Sequence, residues 1–370
     1  MRVIIAAAGT GGHINPGIAI ANKIKQEDKN AKIIFIGTTR GIENDLVPRA
    51  GYELKTIEAY GLSKKINLTS IKKNIKTMQA IKTAKKIIEE FKPDIVIGTG
   101  GYICGPVMMA AKKKKIPTML HESNAFPGLA VKMLSKKVDT ILVGFKEAKE
   151  YLPKAKRVVL TGTPTKISKQ NWNGAEKKEQ KRKIGLKEDL PTVLIFGGSQ
   201  GAKKINEAVL PILEEEKNQN YQILWAPGPK NYDEVKQELE DRKKDIQNIA
   251  RAKIVPYIYN MEEAMNIADL LVCRSGAITI TEIAKLGKPA IFVPLPNVSQ
   301  NHQEKNAKVL QKIGAAYIIL NSDLTANKLQ DTIETIITNP KKLEEMGKNA
   351  QKIEIKQVED KIYSEIKRLI

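Results

Sequence analysis

Three constellations in this sequence combine residue types able to do chemistry: a histidine in a glycine turn, a His-Glu-Ser-Asn tetrad, and a carboxylate six residues beyond another turn. In the first, Gly9-Thr10-Gly11-Gly12-His13 precedes Asn15-Pro16, so His13 sits where an imidazole faces a ligand and can move a proton. A structural histidine is the competing reading, and the chain has three histidines in all. The tetrad His121-Glu122-Ser123-Asn124 offers a base, a carboxylate and an amide suited to sugar hydroxyls. Ala125 stands where His-Glu-x-x-His needs its second histidine, so zinc is not indicated.

The third constellation begins where the apolar run Leu270–Cys273 breaks at Arg274-Ser275-Gly276 and a helical pattern follows from Ala277. Ser275 is expected to cap that helix, whose unpaired first-turn amides make a seat for a phosphate. From there Glu282 could reach a ribose hydroxyl pair; as a solvated helix residue it would do nothing, and the pattern leaves both readings open.

Two further turns follow apolar runs. Gly98-Thr99-Gly100-Gly101-Tyr102 lets a bulky substrate approach the backbone at Gly101, with Tyr102 placed to pack on it. Gly197-Gly198-Ser199-Gln200-Gly201-Ala202 suits a phosphate, but no Lys-Ser/Thr pair follows, so it is not a P-loop. The first turn misses the dinucleotide fingerprint, because the third glycine falls on Ile14 and the next strand ends in Phe35-Ile36-Gly37-Thr38 without an acid. No nicotinamide or flavin cofactor is expected.

The elements that must hold these turns alternate strand with helix. Strands read at Val3–Ala8, Lys32–Ile36, Ile95–Gly98, Thr118–His121 and Thr140–Val143, then at Thr192–Phe196, Tyr221–Trp225, Lys253–Val255, Leu270–Cys273, Ala290–Val293 and Ala316–Ile319. That rhythm predicts an α/β chain of two doubly wound, Rossmann-like parallel-sheet domains facing a cleft. The expected domains are 1–165 and 166–345, joined by a polar, lysine-rich connection from Lys166 to Lys187, with a helix over about 346–370 packing back on the first.

No run of eighteen apolar residues exists, Met1-Arg2 leads into a strand start rather than a signal peptide, and two cysteines cannot build a disulfide framework. The net charge of +21 is polarised: residues 1–165 hold 29 Lys+Arg against 13 Asp+Glu, the remainder 33 against 28. The first half would therefore face an anionic surface, membrane or nucleic acid, unless the lysines merely reflect a lysine-rich proteome. Aromatics at 5% and the absence of an RNA-binding motif argue against nucleic acid. Ser63–Phe91 interleaves Ile71, Ile75, Met78, Ile81, Ile87 and Ile88 with lysines, and Lys112–Lys115 adds a basic spot near Met108-Met109. These form either a lysine-rimmed apolar patch for a membrane interface or an ordinary helix packed on its sheet.

Taken in order and spacing, these motifs, with His302-Gln303 and Asn306-Ala307, resemble those of the MurG-type N-acetylglucosaminyltransferases over the whole length of the chain. The resemblance implies a GT-B fold with UDP-N-acetylglucosamine held on the second domain. At the first it implies an undecaprenyl-diphosphate-linked muramyl pentapeptide, and the enzyme would sit peripherally on the cytoplasmic face of the cell membrane. By motif position, Thr10, Gly11, Gly12 and Asn124 would meet the transferred sugar, Ser199 the diphosphate and Ile258 the uracil edge. Ala277, Ile278, Thr279, Ile280, Thr281 and Glu282 would hold phosphates and ribose, Gln303 a sugar hydroxyl, and Arg274 would help the leaving group. His13 and Glu122 are the candidates for base work. Relatives carry Gly-Asn-Pro-x-Arg where this chain has Gly162-Thr163-Pro164-Thr165-Lys166, so Lys166 keeps the charge but loses the bidentate fork. His302 is a neutral variation. No Asp-x-Asp motif occurs, consistent with a site that works without metal. A diacylglycerol glycosyltransferase or a UDP-N-acetylglucosamine 2-epimerase would share the donor turns.

Overall fold

Runs that are apolar at every position suit strands buried on both faces, which is what a parallel sheet between helix layers requires. Val3–Ala8 and Val193–Ile195 are fully buried in this way. The computed structural model describes all residues except 61–67, 199, 214–219 and 248, and only the backbone at 68–75, 78 and 299. The chain divides into two units, Met1–Thr165 with Ile355–Ile370, and Lys166–Glu354.

In the first unit β1 (Arg2–Ala7), β2 (Lys32–Gly37), β3 (Glu53–Thr56), β4 (Ile95–Gly100), β5 (Thr118–Glu122), β6 (Thr140–Val143) and β7 (Val158–Leu160) form one sheet in the order β3-β2-β1-β4-β5-β6-β7. Every pairing is parallel. The order reverses between β1 and β4, so the crevice at their carboxyl ends is the expected place for a ligand. The last helix, Val358–Leu369, presents Val358, Ile362 and Ile366 to the core that holds Ile14, Ile18 and Ile24 of the helix Gly11–Glu27. Arg157 with Glu365 and Lys23 with Asp360 pin its flanks.

The second unit contains β8 (Thr192–Phe196), β9 (Gln222–Ala226), β10 (Ala252–Ile254), β11 (Leu270–Cys273), β12 (Ala290–Phe292) and β13 (Ala316–Ile318), ordered β10-β9-β8-β11-β12-β13 and again wholly parallel. Its switch point lies between β8 and β11.

The fold differs from the sequence reading in three places. The edge strands β3 and β7 were not anticipated, because Glu-Leu-Lys-Thr is half exposed and the three residues of β7 give no period. The polar connection contains a helix, Gly174–Lys183, started by a capping box between Asn173 and Glu176 and tied to Asp269 through Lys177. The return to the first unit falls at Ile355 rather than near 346; the helix Pro340–Gln351 stays with the second unit, where Met346 and Ala350 are buried. Of the two alternatives for the basic stretch, the structure shows the packed helix: Leu68–Phe91 places Ala80, Ala84 and Ile88 in the core. Met108 joins that core and Lys112 pairs with Asp139, so these two residues do not form a lysine-rimmed apolar patch. Ile71, Ile75 and Met78 lie outside the described side chains.

Candidate functional site

Two glycine turns meet at the first unit's switch point. Gly9 closes β1 at φ +97°, and Gly100 and Gly101 close β4 at φ +138° and +83°, backbone conformations that side-chain-bearing residues avoid. A Cβ on Gly101 would stand 2.5 Å from the Ala8 carbonyl oxygen, and one on Gly100 would overlap the His13 imidazole. The turns can pack this closely because both lack side chains. The Thr99 hydroxyl donates to the His13 carbonyl at 2.7 Å, and the Thr10 carbonyl accepts from the His13 and Ile14 amides. His13 is thereby fixed half-buried over Gly100, with Thr10 and Gly12 exposed beside it. Tyr102 is half-buried and packs against the core below.

The tetrad ends β5, next to β4. The Glu122 carboxylate, 5% exposed, accepts from the Asn124 amide and side chain at 2.9 Å each and from the Gly128 amide at 2.7 Å. These bonds aim the Asn124 amide and occupy much of the carboxylate. His121 is buried, its Nε2 donating to the Gly162 carbonyl at 3.0 Å. Burial pushes the His121 imidazole down to about 4, so it stays neutral and structural.

In the second unit a cavity of about 490 Å³ opens at the β8/β11 switch point, walled by Gly197, Gly198 and Gly201 after β8 and by Arg274, Gly276 and Thr279 after β11. Gln303 and Asn321 complete its rim. Arg274 Nη1 donates to the Val293 and Pro294 carbonyls and to Asn321 Oδ1, while its Nε is buried with no hydrogen-bond partner among the described residues. A buried cationic donor left over in a cavity is suited to an anion. Gln303 Oε1 accepts from the Leu295 amide at 2.9 Å.

Ser275 does not cap the following helix. Gly276 is the N-cap, with no side-chain cap bond, and the buried Ser275 hydroxyl donates to the Gln303 carbonyl at 2.9 Å. The serine is spent on tying β11 to the helix His302–Lys312, and the first-turn amides remain for a ligand. Along the helix Ala277–Leu286, Thr279 lines the cavity, Ala277 and Ile280 are buried, and the Thr281 hydroxyl donates to the Ala277 carbonyl. Ile278 and Glu282 are half-exposed and do not line the cavity. Glu282 nevertheless lies near the strand end: burial, and next the Glu282 charge, push the Cys273 thiol up. Ile258 is half-exposed beyond β10, Lys166 is exposed at the start of the unit, and Ser199 lies outside the described residues. Asn321 was missed by sequence reasoning; it follows β13 without a glycine or a neighbouring titratable group to mark it.

Two doubly wound parallel sheets, each with glycine turns at its switch point, are the architecture of the two-domain GT-B fold. Residues 3–143 match the glycosyltransferase family 28 N-terminal domain, and residues 192–362 the family 28 C-terminal domain. The chain is 45% identical over 369 residues, spanning 100% of both chains, to the UDP-N-acetylglucosamine--N-acetylmuramyl-(pentapeptide) pyrophosphoryl-undecaprenol N-acetylglucosamine transferase of a Thermoanaerobacter species. It is 40% identical to the same-named protein of Halalkalibacterium halodurans, covering 100% of this chain and 99% of that one. Among solved structures it matches Acinetobacter baumannii MurG with a TM-score of 0.77 at 30% identity, over 99% of each chain. The chain belongs to the MurG family of N-acetylglucosaminyltransferases. A Neisseria meningitidis UDP-GlcNAc 2-epimerase, at 14% identity and a TM-score of 0.66 over 100% of both chains, shares the fold.

Proposed function

We propose that the chain transfers N-acetylglucosamine from UDP-N-acetylglucosamine to the C4 hydroxyl of an undecaprenyl-diphosphate-linked N-acetylmuramyl pentapeptide. The observation that carries this reading is the full-length 45% identity to a relative named for that transfer. The cavity in the second unit supports the donor half. Its helix N-terminus and the leftover Arg274 Nε provide positive potential for the diphosphate, in the ground state and as a leaving group. Gln303 Nε2 and Glu282 take sugar and ribose hydroxyls. In the first unit Glu122 aims Asn124 at the transferred sugar, which leaves His13 to take the acceptor's proton. The acceptor hydroxyl attacks C1 opposite the departing UDP, so an α-linked donor yields a β-linked product. No metal or cofactor enters this scheme.

The excess of lysine and arginine in residues 1–165 suits an acceptor anchored in an anionic leaflet, with the enzyme peripheral on the cytoplasmic face. No helix among the described residues is long and apolar enough to cross a membrane.

The test is UDP release from purified protein given UDP-N-acetylglucosamine, with and without a short-chain lipid-linked muramyl pentapeptide. Acceptor-dependent release with a disaccharide product is expected. Release without acceptor would indicate an epimerase or hydrolase, and release only with diacylglycerol would make the chain a glycolipid synthase.

A further inference from the structure

Behind the first glycine turn stands a carboxylate that no step above uses. Glu43 begins the helix Glu43–Arg49 and is fully buried. Its Oε2 accepts from the Gly9 amide at 3.0 Å, and its Oε1 from the Thr38 amide at 2.9 Å and the Thr38 hydroxyl at 2.7 Å. It has no ion-pair partner among the described residues, so a buried charge is held by neutral donors alone. Such burial is costly unless the lone pairs are well used. Burial opposes ionisation, but the Thr38 and Gly9 donors outweigh it and hold the carboxyl below its ordinary range. The backbone also makes way: a Cβ on Gly37 would lie 2.7 Å from Glu43 Cγ.

The position of this group is informative. The Gly9 amide is the hinge between β1 and Thr10-Gly11-Gly12-His13, and Thr38 directly follows the neighbouring strand β2. One carboxylate thus bolts the turn to the sheet from below, while Thr99, Gly100 and Gly101 hold it from the β4 side. Glutamine could not replace it cleanly. All three hydrogen-bond partners are donors, and a carboxamide would turn its own NH₂ toward one of them.

We propose that Glu43 is a positioning residue for the transfer: by fixing the Gly9 amide it sets where His13 and the sugar-facing amides of the turn stand, without touching substrate. This rests on the reading that the first unit's turns meet the reacting groups. A small misplacement of catalytic groups can cost about a hundredfold in rate.

Three variants of the full chain, Glu43→Gln, Thr38→Val and His13→Ala, would be compared by acceptor-dependent UDP release and by calorimetric binding of UDP. Glu43→Gln is expected to lower kcat at least roughly tenfold, with donor KM and UDP affinity within about threefold of the parent, because the second unit is untouched. A folded Glu43→Gln protein with parental kcat overturns the inference, as does a raised donor KM with kcat intact. Should Glu43→Gln fail to bind UDP or to fold, Thr38→Val decides. It removes one donor and keeps the Gly9 bond, so kcat should fall about threefold or more at unchanged UDP affinity; no change overturns the proposal. His13→Ala separates the two layers. If it is silent, the assignment of the first-unit turns fails; if it lowers kcat while the other two variants do not, only the role of Glu43 fails.

Discussion

Each candidate residue is distinguished by what its polar atoms are already doing. Glu122 and His121 carry adjacent side chains with different fates: one carboxylate aims an amide, and one imidazole is held neutral in the core. His13, half-buried on a glycine, and Glu282, half-exposed on the helix Ala277–Leu286, are the titratable groups proposed to meet substrate. Glu282→Ala is expected to weaken UDP-sugar binding by roughly 10- to 100-fold, the worth of hydrogen bonds to a charged acceptor, with the fold intact. Unchanged donor affinity in calorimetry would remove the ribose role. His13→Ala should lower kcat by about 10²-fold or more with little effect on donor affinity, as loss of a general base does. Loss of donor affinity at normal turnover would make His13 a binding residue instead.

Among the elements, precision comes from where strands end. Turns that follow adjacent strands β1 and β4 can be clamped together only if neither carries a side chain at the contact. Gly100→Ala should therefore push the His13 ring aside and reduce kcat by roughly a hundredfold, while UDP binding to the second unit stays parental. Kinetics alongside UDP titration checks both halves of that statement. A second element-level effect concerns the amino ends of β5 and β6. Asp139 accepts from Lys112, Lys156 and the Thr118 amide and hydroxyl. Burial opposes its ionisation, but these partners prevail and hold it at about 2, against an ordinary 3.8. Because the folded value is the lower one, the stabilisation is present above about pH 4 and is lost as pH falls toward 2. Asp139→Asn should cost at most about 2 kcal/mol near neutrality, less whatever solvent screens. Chemical denaturation across pH should show the difference between the proteins vanishing at the acid end.

For the whole molecule the charge distribution matters most. An excess of basic residues in 1–165 far above that of the remainder predicts binding to vesicles containing anionic phospholipid and not to neutral ones. The binding should weaken as ionic strength rises past about 0.1 M, where the screening length is about 10 Å. Sedimentation with vesicles of both compositions measures this; equal binding to neutral lipid would detach the charge from any membrane role.

Local chemistry made much of this protein readable. Fully apolar runs, glycine at their ends and helical spacing between them are short-range signals, and they announced two parallel sheets and the turns at their carboxyl ends. Edge strand β3 gave no such signal, since a short, largely exposed strand needs no apolar run, and the three apolar residues of β7 are too few to show a period. The motif residues His13, Glu122, Asn124, Arg274 and Glu282 were visible by type and spacing, but their division of labour was not. Hydrogen bonds across tens of residues decided that Ser275 ties down Gln303 instead of capping a helix, and that Asn321 and Glu43 belong to the sites at all; a bond of only two residues' span set Glu122 to aim Asn124. A sequence determines which residues can donate, accept or bend; only packing the strands side by side determines which partner each one meets.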